Sequence, residues 1–191
     1  METVNIMIVG VGGQGSLLAS KMLGHLLVQQ GYDVKVSEVH GMSQRGGSVV
    51  TYVRFGEKVY SPIIDKGDAD YIVSFELLEA ARWIEYLKPT GRVVTNTQKM
   101  EPMPVIAGLA KYPENLVEKI QAKGIQVDAM DCLALAEKAG STKAVNMVLM
   151  GRLSKYSPDI PQEAWQASLE ANVPAKVLEL NKIAFALGQQ G

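Results

Sequence analysis

Two stretches of this chain combine residue types and spacings that could do chemistry. The first is Gly10-Val11-Gly12-Gly13-Gln14-Gly15, with the G-x-G-x-x-G spacing between an apolar run and a helical pattern that starts at Ser16. Glycines so placed let the backbone approach a phosphate, and the free amides at the helix start point at it. Glu38 follows by about 20 residues, where dinucleotide-binding folds place an acid on a ribose. Gly10, Gly12, Gly13, Gln14, Gly15, Ser16 and Glu38 are therefore the candidate cofactor-binding residues. The same glycines would also serve a tight turn and close helix–strand packing with no ligand at all.

The second stretch runs from Glu38 to Gly47, without helical or strand period. His40, Met42, Ser43, Gln44, Arg45, Gly46 and Gly47 make it a candidate interface or substrate loop. Arg45 has the planar fork that grips a carboxylate or phosphate through two hydrogen bonds, and Gly46-Gly47 admits another backbone. The alternative is a rigid surface loop, but long irregular loops are more often functional than merely connecting. Nothing else forms a catalytic set, so no catalytic residue is expected on this chain alone. Cys132 has no histidine near it in sequence and reads as a buried thiol, and His25 falls inside a helical pattern. Asp65, Asp68 and Asp70 read as solvated turn residues.

The elements that must position these stretches follow from periodicity. Val4–Val9 is a short apolar run, as in strands buried on both faces. Leu18, Met22 and Leu26 share a helical face that Gly31 ends, and Val34–Glu38 is a second strand, giving a βαβ unit. Ser48–Phe55 and Lys58–Ile63 flank Gly56-Glu57 like an antiparallel hairpin. A strand at 69–74, a helix from Glu76 to Lys88 stopped by Pro89, and a strand at 92–97 follow. A helix is expected over 113–123, a strand over 125–130, and helices from Cys132 onward, with Pro161 and Pro174 opening the last two. The 98–112 segment has no clear assignment. The expected fold is a single three-layer, Rossmann-like α/β domain over residues 1–191, its sheet mostly parallel with one antiparallel hairpin and a helical C-terminal end.

Composition narrows the classes. With 191 residues, 47% hydrophobic and 20% charged, the chain is of one-domain size and globular, not disordered. A net charge of −1 gives no basic footprint for nucleic acid. One cysteine allows neither an intrachain disulfide nor an iron–sulfur cluster, which usually takes four thiolates, and His25 and His40 have no zinc spacing. No apolar run approaches the ~20 residues of a membrane span and no leader pattern opens the sequence, so a cytoplasmic protein without membrane contact is expected.

Together, Gly10 to Gly15, the segment Glu38-Val-His-Gly-Met-Ser-Gln-Arg-Gly-Gly-Ser48 and Asp68-Ala-Asp-Tyr-Ile-Val-Ser-Phe-Glu76 resemble the small gamma-type subunit of 2-oxoacid:ferredoxin oxidoreductases. The form of the long loop is most similar to that of the indolepyruvate oxidoreductase beta subunit group, and the likeness extends to Asn146-Met-Val-Leu-Met-Gly151 and Lys176-Val-Leu-Glu-Leu-Asn181. The resemblance implies a gamma-type domain in a heteromeric enzyme that oxidatively decarboxylates a 2-oxoacid with coenzyme A, giving an acyl-CoA, carbon dioxide and reduced ferredoxin. It implies thiamine diphosphate, magnesium and iron–sulfur clusters in partner subunits, with coenzyme A as the one cofactor this chain could touch. The glycine loop and the Arg45 loop are the positions carried over for that role. A homodimer of the isolated chain is also open, as are two other readings: a free-standing nucleotide-binding dehydrogenase and a purely structural assembly subunit.

Overall fold

The computed structural model describes residues 2–38 and 46–191; His40, Met42, Ser43, Gln44 and Arg45 of the expected loop lie outside the described residues. A six-stranded sheet forms the middle layer, in the order β2-β3-β1-β4-β5-β6. Its strands are β1 (Val4–Val11), β2 (Asp33–Glu38), β3 (Ser48–Gly56), β4 (Ala69–Ser74), β5 (Leu87–Asn96) and β6 (Gln126–Met130). β1, β4, β5 and β6 pair in parallel, whereas β3 is antiparallel to both β1 and β2. Helix α1 (Ser16–Gln29) joins β1 to β2 as expected, and Gly31 follows it at φ 84. The expected βαβ unit is thus present but split, with β3 inserted between its two strands.

The expected hairpin of 48–55 with 58–63 does not form. Both edges of β3 are already paired, by β1 and β2, so no ladder remains for the second strand. That segment's backbone is held by side chains instead: Arg54 Nη1 donates to the carbonyls of Ser61 (3.0 Å) and Ile63 (2.7 Å), and the Val59 amide donates to Asp33 (2.9 Å). Helix α2 (Leu77–Arg82) is also shorter than expected, with a 3₁₀ turn at Ile84–Tyr86 and Leu87 already in β5. Pro89 pushes Lys88 out of the helical region, which removes the expected last turn. Residues 88–91 are then absorbed by an irregularity, since Ala69 pairs with Leu87 but Tyr71 with Arg92.

Two short helices, α3 (Met103–Ile106) and α4 (Leu116–Gln121), precede β6. With Asn115 as its N-cap, at φ 53, α4 starts at Leu116, three residues beyond the start expected at Pro113. The chain ends in α5 (Cys132–Ala139), α6 (Val145–Ser154), α7 (Gln162–Asn172) and α8 (Leu178–Gln190). Alternation along the strands divides the core. Ile6, Ile8, Val73 and Val94 face α1 and the C-terminal helices, while Met7, Val9, Ile72 and Val93 face the side of α2. Asp70 is not a merely solvated turn residue: it accepts from the Asn5 amide (2.8 Å) and from Lys88 (2.7 Å). His25 meets Ser168 at 3.2 Å, between α1 and α7.

Helices α6 and α8 cross at two glycines. A Cβ on Gly151 would stand 2.0 Å from the Phe185 carbonyl oxygen, and one on Gly188 would stand 2.0 Å from that of Val148. Backbone cannot yield as a flexible side chain can, so Gly151→Ala must force the helices apart. Overpacking of this kind typically costs ~1–3 kcal/mol, occasionally more. The urea midpoint of Gly151→Ala should fall by the equivalent of about 3 kcal/mol; a loss under about 0.5 kcal/mol would contradict the crossing.

Candidate functional site

The glycine loop leaves β1 at the carboxyl edge of the sheet, where chain direction diverges: α1 carries it toward β2, while β4 lies on the other side. Such edges are where open α/β sheets take their ligands. Gly10 has no room for a side chain, since a Cβ would lie 2.9 Å from that of Phe75. Gly13 (φ 100) and Gly15 (φ 89) turn the loop through the left-handed region. Gly15 is the N-cap of α1, with no side-chain hydrogen bond and no acidic residue in the first turn.

Of the amides at residues 12–16, all expected to face a ligand, two are engaged internally. Gly12 donates to the Gly47 carbonyl (2.9 Å) and Gln14 to that of Val11 (3.2 Å). The Gln14 side chain also turns inward, accepting from the Val11 amide (2.8 Å) and donating to the Phe75 carbonyl (3.2 Å). Gln14 therefore braces the loop. The amides of Gly13, Gly15 and Ser16 meet no acceptor among the described residues, leaving partial positive charge at the helix start.

Glu38 comes to the same place. It lines a cleft of about 310 Å³ with Gly12, Gly13, Gly15, Ser16 and Thr51. Ser20, on α1, donates to its Oε1 at 2.7 Å and fixes the carboxylate. Gly47 is tied to Gly12, and Ser48 hydrogen bonds to the buried Glu79, so both stems of the long loop are anchored beside the glycines. The loop's own candidates from His40 to Arg45 are outside the described residues, and Gly46 (φ 89) is the first described residue after them.

A second cleft, of about 580 Å³, lies across the loop and was not legible in the sequence. Gln98, Met100, Thr142, Lys143 and Val145 line it with Gly12, Gly13, Gln14 and Gly15. Lys143 has no ion pair among the described residues. Asn146 reaches the Gly15 carbonyl at 3.4 Å; beyond its place in the family likeness, its sequence signal is a polar residue near the start of the apolar run of α6. The 98–112 segment beside this cleft is clasped by Glu76, which is 1% exposed. Glu76 caps α2 through the Glu79 amide (2.8 Å) and accepts from the Met100 amide (3.0 Å) and from the Tyr112 hydroxyl. Burial, and then Glu76, pushes the Tyr112 phenol up, so it stays a donor.

Cys132 is fully buried, and burial pushes its thiol up to about 12, with Asp131 and Asp128 adding to the shift. A thiol of this kind is a poor nucleophile and metal ligand. Among the described residues no group of three or more His, Cys, Asp or Glu could hold a metal ion, and no helix is long and apolar enough to cross a membrane.

The indolepyruvate oxidoreductase subunit IorB of Thermococcus kodakarensis is 46% identical, over 98% of this chain and 95% of that protein. The crystal structure of pyruvate oxidoreductase subunit PORC from Thermotoga maritima covers 100% of this chain and 97% of that one, with a TM-score of 0.74 at 20% identity. The same TM-score and identity relate it to 2-oxoglutarate:ferredoxin oxidoreductase from Magnetococcus marinus, solved with 2-oxoglutarate, coenzyme A and succinyl-CoA, where the whole chain matches 31% of the longer one. These structural likenesses carry the three-layer fold. The family model described as pyruvate ferredoxin/flavodoxin oxidoreductase matches residues 5–191, so this chain belongs to that family, as a subunit of the IorB and gamma kind.

Proposed function

We propose that this chain completes the active site of a thiamine-dependent 2-oxoacid:ferredoxin oxidoreductase, and that its glycine-loop cleft holds a phosphate of coenzyme A. One observation carries the reading: the amides of Gly13, Gly15 and Ser16, unengaged among the described residues, share a cleft with an immobilised carboxylate, Glu38. Those amides suit a pyrophosphate oxygen, and Glu38 suits a hydroxyl donor on the same ligand. Coenzyme A, when bound, supplies the thiol that accepts the acyl group. This chain's residues hold the carrier and orient it, and no proton-transfer role falls to them.

Thiamine diphosphate, magnesium and the iron–sulfur clusters belong, on this reading, to partner subunits. In support, the chain has a single, buried thiol, where an iron–sulfur cluster usually takes four, and no group of three or more His, Cys, Asp or Glu among the described residues could hold a metal ion. Ferredoxin would accept electrons from the assembled complex. The high identity to an indolepyruvate oxidoreductase subunit makes an arylpyruvate the 2-oxoacid to test first. The long loop, stemmed at Glu38 and Gly47, would be covered by the thiamine-bearing partner, with Arg45 pairing a carboxylate or phosphate there.

Three outcomes follow. The purified chain alone should give no 2-oxoacid-dependent viologen reduction, and the reconstituted complex should; appreciable turnover by the chain alone would favour a free-standing enzyme. Ser16→Glu places a negative charge in a first turn that lacks one, which favours α1 but repels a phosphate. Its melting temperature should therefore hold or rise, while the KM for coenzyme A in the complex rises at least tenfold, about 1.4 kcal/mol. An unchanged KM would remove the phosphate from this loop. Arg45→Lys keeps the charge but loses the fork, so the isolated chain should be as stable as the parent while assembly or turnover falls tenfold or more. Parent-like assembly and turnover would make Arg45 a solvated surface charge.

A further inference from the structure

At the amino end of the sheet, opposite the glycine loop, four aromatic rings line a cleft of about 200 Å³ between the starts of the strands and the turn that joins α6 to α7. Val4 stands at this end of β1 and Val11 at the other, seven residues away, so the two sites are separated by roughly 20 Å at ~3.3 Å per residue. Tyr32 and Phe55 pack together with centroids 5.2 Å apart, and Tyr71 and Tyr156 with centroids 6.3 Å apart.

Two of the rings are held in place by their own hydroxyls. Tyr71 donates to the Tyr156 carbonyl at 3.2 Å, and the Tyr156 hydroxyl donates to Asp128, which Arg152 grips through two hydrogen bonds of 2.6 and 2.8 Å. Burial pushes both phenols up, so the rings stay neutral near neutral pH. The Tyr32 hydroxyl has no partner among the described residues. Asp159 lies in the lining and is exposed, with no ion pair among the described residues, and no Lys or Arg lines the cleft. Arg92, outside the lining, stacks over the Tyr156 ring at 4.3 Å.

We infer that this cleft is a second ligand site, for a small aromatic amine whose ring enters between the four aromatic side chains and whose ammonium pairs with Asp159. The volume suits the class, since a cavity of about 150 Å³ already takes a benzene ring. Offset and edge-to-face contacts would select a flat ring, and the unpaired carboxylate at the rim would select its charge. The site is independent of the proposed coenzyme A cleft, sharing no residue with it.

Calorimetric titration of the full chain with 2-phenylethylamine, 2-phenylethanol and phenylacetate separates the two parts. The amine should bind at about millimolar strength, as expected for so small a ligand, with the alcohol weaker and the carboxylate weakest. Asp159→Asn, an exposed change that leaves the fold intact, should weaken the amine about fivefold and leave the alcohol unchanged, the scale of an exposed ion pair. Tyr32→Leu should weaken amine and alcohol alike. Absence of saturable amine binding, equal affinity for amine and alcohol, or a preference for phenylacetate would each overturn the proposal, and none of these results bears on coenzyme A.

Discussion

The carbonyl of Phe75 is the point on which the carboxyl edge of this domain depends. Gln14 donates to it from the glycine loop and Asn96 donates to it from the end of β5, at 3.2 and 3.1 Å. Asn96 in turn accepts from the Cys132 amide (3.1 Å), which ties in the start of α5. Gly10 allows this convergence, because any side chain there would collide with Phe75. Three strand ends and two helix starts thus share one small buried polar junction, and buried polar groups in such a junction must all be satisfied together. A loop braced in this way presents its free amides in a fixed arrangement, which a ligand need not order on binding.

The buried acids have a related structural use. Glu76 and Glu79 are almost wholly removed from solvent, yet each is surrounded by donors. Glu76 joins α2 to the 98–112 segment, and Glu79, paired within the helix to Arg82, joins α2 to Ser48. One short helix therefore holds the walls on both sides of the glycine loop in register with β4. Neither acid is left without a donor.

Local elements were legible in the sequence wherever one residue type dictated the backbone. Gly31, at positive φ, ended α1 where expected, and Pro161 opened α7. The apolar run of β1 and the helical face of α1 placed the glycine loop and Glu38 correctly relative to each other. Pairing was harder, because it is decided between distant segments. Lys58–Ile63 has a strand-like composition, but β2 and β1 occupy both sides of its intended partner, a fact not encoded within that segment. The second cleft escaped notice for the same reason: Asn146 meets Gly15 across 131 residues, and Lys143 enters from the far end of the chain. The family likeness rested on the long loop's residues and needed no geometry.

The insertion of β3 has a consequence for how such proteins can diversify. Because β3 is the antiparallel neighbour of β2, the end of one strand and the start of the next lie side by side, with Glu38 paired to Thr51 and Ser48 to Val11. The sheet itself closes the intervening segment, and lengthening a closed segment costs only about 0.6 kcal/mol per doubling. A longer connection between β2 and β3 therefore costs the folded state little in closure entropy. The length between these strands can therefore vary while the paired ends, and the scaffold they belong to, stay where they are.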